Sequence, residues 1–144
     1  MDTYQLRRFV YDQLIANGFP PKLADIARHF STDIAAARAA IANLHIGKTI
    51  HPHPATGEIW MAGPFSAVPT SYKVTGSATW FANCAWDMLG IPLITRESVQ
   101  VEARCTDCDA AISFTASPAE PPALDAIVHF LVPARHWYDD LGFT

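Results

Sequence analysis

Apolar residues recur every three or four positions at the start of the chain, at Leu6, Phe9, Val10 and Leu14. That spacing predicts a first helix, capped by Thr3 or Asp2 and stopped at Asn17-Gly18. Phe19-Pro20-Pro21 turns the chain into a short second helix over 22–30, with Leu23, Ile26, Ala27 and Phe30 inward. Ser31 or Thr32 is placed to cap a third helix, whose buried stripe is Ile34, Ala37, Ile41 and Leu44 and whose end is Gly47. Residues 50–53 and 58–61, joined by Ala55-Thr56-Gly57, read as a β-hairpin.

The pattern then changes. From Ala62 to Ser77 the chain is rich in Pro, Gly and Ser and reads as a draping loop. A helix is expected over 78–89, closed by Gly90 and Pro92. Strands are expected over 98–104 and 110–116, where Val99, Val101, Ala103 and then Ala110, Ile112, Phe114 alternate with polar residues. The turn Thr106-Asp107-Cys108-Asp109 joins them. A third strand over 126–132 and a short helix from Pro133 through Asp140 complete the reading. The expected fold class is α+β: a winged-helix-like three-helix unit with a β-hairpin over 1–62, a linking loop over 63–77, and a small mixed or antiparallel sheet with helices over 78–144.

Composition narrows the class. The chain has 144 residues, half of them hydrophobic and 17% charged, which supplies a core and argues against disorder. No apolar run approaches the ~20 residues of a membrane span, and MDTYQLRRFV lacks the apolar stretch of a signal peptide. The expected setting is therefore cytoplasmic. The net charge of −4 is uneven: residues through Thr75 carry seven Lys/Arg against five Asp/Glu, and the remainder three against nine. Neither part has the basic stripe of a nucleic-acid binder. The third helix begins with an acid and offers only Arg38, Asn43 and His45 for base or phosphate contacts. A winged helix reused for packing or as a lid fits better than one that reads DNA.

Chemistry concentrates near Cys84 and Asp87, in the run Trp80-Phe81-Ala82-Asn83-Cys84-Ala85-Trp86-Asp87. On the expected helix a Cys-x-x-Asp spacing puts thiol and carboxyl on one face. The aromatic setting should raise the carboxyl pKa and favour a protonated acid beside a nucleophile. The competing reading is a structural cysteine and an exposed aspartate. Cys105 and Cys108 form a Cys-x-x-Cys pair in the hairpin turn; the spacing suits a soft metal, yet zinc needs four ligands and no second such pair exists. Three cysteines in a chain read as cytoplasmic argue for thiols or metal ligands rather than disulfides. His51-Pro52-His53 reads as an exposed loop, and His129 and His136 as ordinary core or surface histidines. No Gly-x-Gly-x-x-Gly, P-loop, His-Glu-x-x-His or Gly-x-Ser-x-Gly is present, so no organic cofactor is expected.

The run 80–90 (WFANCAWDMLG), with Arg104-Cys105, Ser117-Pro118 and the stretch from Val128-His129-Phe130 to Asp139-Asp140, resembles the organomercurial (alkylmercury) lyase family. The resemblance implies a winged-helix-like N-terminal unit before a catalytic domain. It also implies that Cys84 is a catalytic, mercury-binding thiol and Asp87 the proton donor in protonolysis of a carbon–mercury bond. Cys105 falls at a cysteine regarded as structural in the family, and Cys108 has no catalytic counterpart. The family's second catalytic cysteine is expected just beyond the part matching residues 137–144, where this sequence stops. Cys105, Cys108 or an external thiol is the expected substitute, and an unpaired sheet edge there would favour a homodimer. The alternatives are a non-catalytic thiol protein that binds a soft metal through Cys84, Cys105 and Cys108, and a ligand-responsive winged-helix regulator.

Overall fold

A computed structural model of the chain describes residues 1–122 and 124–141. Helix α1 (Thr3–Asn17) starts where the Asp2 carboxylate accepts from the Gln5 amide and ends at Gly18, which takes the left-handed conformation at φ 82°. Glycine is required there twice over, because a Cβ would also sit 2.2 Å from the Thr79 carbonyl oxygen. Helix α2 (Leu23–His29) follows. The cap of α3 (Ile34–Ile46) is Asp33, whose carboxylate accepts from the Ala36 amide at 2.7 Å, rather than Ser31 or Thr32. Leu6, Val10 and Leu14 from α1, Ile26 from α2, and Ala37 and Ile41 from α3 close one core. Ile34, expected inward, is exposed in the first turn of α3.

The hairpin β1 (Ile50–Pro52) and β2 (Ile59–Ala62) forms as expected. The next segment corrects the expectation of a loop. Residues 63–77 supply β3 (Phe65–Ser66) and β4 (Tyr72–Thr75), and the backbone then enters β5 (Thr79–Ala82). The prolines of this stretch lie between the strands, while Phe65, Val74 and Trp80 are β-favouring and buried. The expected helix over 78–89 is likewise corrected. Trp80 and Ala82 are buried and Phe81 between them is not, a period of two that makes a strand, and the helix α4 begins only at Asp87 (Asp87–Thr95).

Strands β6 (Val99–Arg104) and β7 (Ala111–Ala116) complete one seven-stranded antiparallel sheet in the order β1-β2-β3-β5-β4-β6-β7. The fold class is α+β, and the helices precede a sheet that runs without interruption from the first hairpin to the last. The expected third strand over 126–132 is absent: those residues are mostly exposed and outside the ladder. Prolines at 118, 121, 122 and 133 interrupt the chain on both sides of it, and Phe130 turns to another task described below. The helix expected from Pro133 to Asp140 is a single 3-10 turn, Ala134–His136. The last expected residues, 142–144, lie outside those described. Among the described residues no helix is long and apolar enough to cross a membrane.

Two contacts fasten the helices to the sheet. The fully buried Trp80 donates its indole N–H to the Leu14 carbonyl at 2.8 Å, joining β5 to the last turn of α1. The Tyr11 hydroxyl donates to the Gly63 carbonyl at 2.7 Å. The neighbouring Pro64 carbonyl accepts from the Asn83 amide at 3.2 Å, so the path leads from α1 to the residue before Cys84.

Candidate active site

Cys84 and Asp87 lie in the turn from β5 into α4. They are not on one face of a continuous helix, as their spacing led one to expect; Cys84 precedes the helix and Asp87 opens it. They meet all the same. The Cys84 carbonyl accepts the Met88 amide at 3.3 Å, which folds the turn back. The Cys84 sulfur then receives the backbone N–H groups of Asp87 and Trp86 and is hydrogen-bonded to the Asp87 carboxyl. A sulfur at this position faces the positive end of the α4 dipole.

Burial dominates the acid–base behaviour of both groups. It is the largest cause holding the Asp87 carboxyl above the ordinary carboxylate range, against hydrogen bonds from Asn83 and Cys84 that favour the ionised form. Burial also pushes the Cys84 thiol up, the Asp87 charge adds to the effect, and the two backbone N–H groups oppose it. The pair therefore retains protons that two exposed groups of the same type would release. The expectation of a raised carboxyl pKa in an aromatic setting agrees with this arrangement. Of the flanking aromatics, however, Trp80 belongs to the core, and Trp86 faces the site.

Cys84, Asp87, Asn83 and Trp86 form one wall of a cavity of about 220 Å³. Lys48, His51, Met61 and Gly63 come from the first hairpin and its flanks, and Phe130, Trp137, Tyr138 and Leu141 from the C-terminal segment. The aromatic residues there hold one another: Phe130 lies 5.0 Å from Trp137 and 6.4 Å from Trp86, centroid to centroid. The Trp137 indole donates to the Val132 carbonyl at 2.7 Å, and the Lys48 ammonium stands 4.2 Å from the Tyr138 ring centre. Phe130 of the expected strand, with Trp137 and Tyr138 of the expected helix, thus gives the site its apolar cover.

His51 and Asn83 had no place in the sequence reading of the site. His51, read as an exposed loop residue, is 6% exposed, its Nδ1 lies 2.9 Å from Nδ1 of His45, and its ring is 5.9 Å from that of Tyr138. Burial, then the neighbouring His45, lowers its pKa, so the ring favours the neutral form. Strand alternation opposite Ile50 would leave it in solvent; the C-terminal segment buries it, and no local pattern signals that. Asn83 hydrogen-bonds to Asp87, and its Oδ1 is buried without a hydrogen-bond partner among the described residues.

Cys105 and Cys108 do not join the cavity wall. They occupy the β6–β7 turn, Cys105 half-buried and Cys108 exposed. The backbone N–H groups of Cys108 and Asp107, and the Cys108 thiol, hold the Cys105 thiol below its ordinary range. Among the described residues no three His, Cys, Asp or Glu side chains are grouped to hold a metal ion. His129 is exposed, and His136 pairs with Asp139 at 2.8 Å on the surface.

Among solved structures the chain is similar to one described as the crystal structure of the mercury-bound form of MerB2. The TM-score is 0.63 at 20% identity, covering 85% of this chain and 60% of that chain, a likeness of fold. The chain thus spans about three-fifths of the length of that structure. No curated protein matches its sequence. The family model described as MerB, alkylmercury lyase, matches residues 65–143, more than half of the chain, including the β5–α4 turn with Cys84 and Asp87. The chain belongs to the alkylmercury lyase family.

Proposed function

We propose that the protein is an organomercurial lyase in which Cys84 binds the metal and Asp87 delivers the proton. The observation that carries this reading is a half-buried thiol and a half-buried carboxyl, three residues apart in one turn and each acting on the other's proton, at the wall of an apolar cavity. Thiolate is the soft donor that mercury prefers. An organomercurial R–Hg–X enters beside Trp86 and Phe130, and the Cys84 sulfur displaces X on mercury, the thiol proton leaving with X as HX. Asp87 then gives its own proton to the carbon. The carbon–mercury electron pair becomes the new C–H bond, R–H leaves, and Hg(II) stays on Cys84 beside the Asp87 carboxylate.

An acid that holds its proton to higher pH than an ordinary carboxyl is what this step asks for, and burial moves Asp87 in that direction. Asn83 orients the carboxyl by its hydrogen bond. No resident cofactor takes part; two external thiols carry Hg(II) away and return one proton each to Cys84 and Asp87. The reading places the protein in the cytoplasm, where its three free cysteines stay reduced. The regulator reading has less support, because Arg38 donates to the Thr56 carbonyl in the hairpin turn and His45 faces His51.

The test is release of benzene from a phenylmercury salt in excess small thiol. The wild type should turn over repeatedly, Cys84→Ser should be inactive, and Asp87→Asn should bind mercury without releasing benzene. Stoichiometric capture with no benzene from the wild type would make the protein a soft-metal binder instead.

A further inference from the structure

The β6–β7 turn has features that the lyase chemistry does not use. The Cys105 sulfur sits in a cradle of backbone N–H groups from Asp107 and Cys108, and the Cys108 thiol is within hydrogen-bond reach of it. Cys105 is half-buried and Cys108 exposed, so one turn presents both thiols toward solvent. The cradle is braced from outside. The Cys105 amide donates to the Ala110 carbonyl and the Asp109 amide to the Cys105 carbonyl, both at 2.9 Å. Asp109 takes a left-handed φ of 58°, and the Arg104 guanidinium clasps its carboxylate with two hydrogen bonds of 2.6 Å.

Sheet register sets where this turn lies. Lys73 of β4 faces Phe81 of β5 on one side and Glu102 of β6 on the other. Both neighbours run antiparallel to β4, so they leave the sheet at the same end. Cys84 comes three residues after Phe81, and Cys105 three residues after Glu102. Two strand spacings separate the chains, about 10 Å. Tyr72 lies on the strand between them, opposite Ala103 of β6.

We propose that the Cys105–Cys108 turn is a second soft-metal site, a two-thiolate clasp that receives Hg(II) from Cys84 along the Tyr72 end of the sheet. Two sulfurs without a third donor among the described residues suit a two-coordinate ion and fall short of the four ligands of structural zinc. The transfer balances without oxidant or reductant. Cys84–S–Hg–SR and the two thiols of the turn give Cys105–S–Hg–S–Cys108, the Cys84 thiol and RSH. The source of the ion rests on the lyase reading; the clasp does not.

The test separates the two. Reduced Cys84→Ser and Cys84→Ser/Cys108→Ser proteins are loaded with mercuric chloride or with phenylmercury acetate. Native mass spectrometry then follows retention against rising 2-mercaptoethanol. A chelating pair should make Cys84→Ser hold one Hg(II) at least about 10²-fold more tightly than the double variant. Phenylmercury, with one coordination position open, should be lost from both alike. Equal loss of Hg(II) from the two variants overturns the clasp. Retention by Cys84→Ser, with no benzene from the wild type, supports the clasp and overturns only the lyase as its source.

Discussion

The same functional group occurs in two contrasting settings in this protein. Cys84 is enclosed by a cavity wall, shares its hydrogen with a carboxyl and is driven upward in pKa by burial. Cys105 sits at the surface in a turn whose backbone N–H groups drive its pKa down. Each sulfur is reached by two backbone N–H groups. What separates them is desolvation and the neighbouring group: an acid beside Cys84, a second thiol beside Cys105. The first environment suits a site that must keep a proton to spend on carbon, and the second a site that must give protons up to hold a metal.

The sharpest way to break this contrast is Asp87→Asn. Loss of a positioned acid is expected to lower benzene release by roughly 10²–10⁴-fold while mercury still binds to Cys84, read by gas chromatography and mass spectrometry. An unchanged rate would remove Asp87 from the chemistry.

Trp80→Phe addresses the buried side alone. It removes one of the two donors to the Leu14 carbonyl, the Gly18 amide keeping the other, at a cost of about 0.5–1.5 kcal/mol. Urea denaturation should show that loss, and hydrogen exchange should rise at the β5–α4 turn before it does in β6 and β7. Uniform loosening of both regions would mean that the two thiol environments do not melt separately.

Alkylation kinetics sharpen the comparison at the thiols themselves. At neutral pH iodoacetamide should label Cys105 ahead of Cys84, by about tenfold for each pKa unit between them. The Asp87 charge is one of the causes raising Cys84. Asp87→Asn should therefore shift the Cys84 labelling curve to lower pH and leave that of Cys105 in place. Peptide mapping reads both curves.

The smallest expected effect concerns stability. A carboxyl with a pKa raised by folding stabilises the fold most below its unfolded pKa, and this contribution disappears as pH rises through the folded value. Asp87→Asn should thus gain on the wild type as pH rises above the ordinary carboxylate range, read as a relative rise in Tm. A gain on acidification would reverse the sign and contradict the buried, protonated state.

Much of the helical part was legible from local rules. α1 has its Asp2 cap, its Leu6–Val10–Leu14 stripe and its Gly18 stop in consecutive positions, and β6 carries a strict alternation of buried and exposed residues. Between 63 and 82 the strands have two to four residues each and sit among prolines and glycines, too short for a period to be read. The Cys84–Asp87 pair could be found from residue type, although the reason for their meeting differs: a strand–turn–helix junction rather than one helix face. The rest of the cavity was hidden because Lys48, His51 and Tyr138 are neighbours only through tertiary packing. The apolar stretch 126–132 reads as a strand because Phe130, which covers the cavity, and its apolar neighbours are the residue types a sheet edge also uses.

The cavity has a consequence for how small this protein can be made. The family-matched stretch begins at Phe65, but Lys48, His51, Met61 and Gly63 of the wall come before it. So does the Leu14 carbonyl that holds Trp80. A shortened protein starting at residue 65 would keep both the thiol and the acid, but as an open half-shell. Water would reach Asp87, its carboxyl would fall back toward ordinary acidity, and the proton meant for carbon would be lost to solvent. The hairpin at the front of the chain is therefore part of the cavity, and the first helix serves it from behind by holding Trp80.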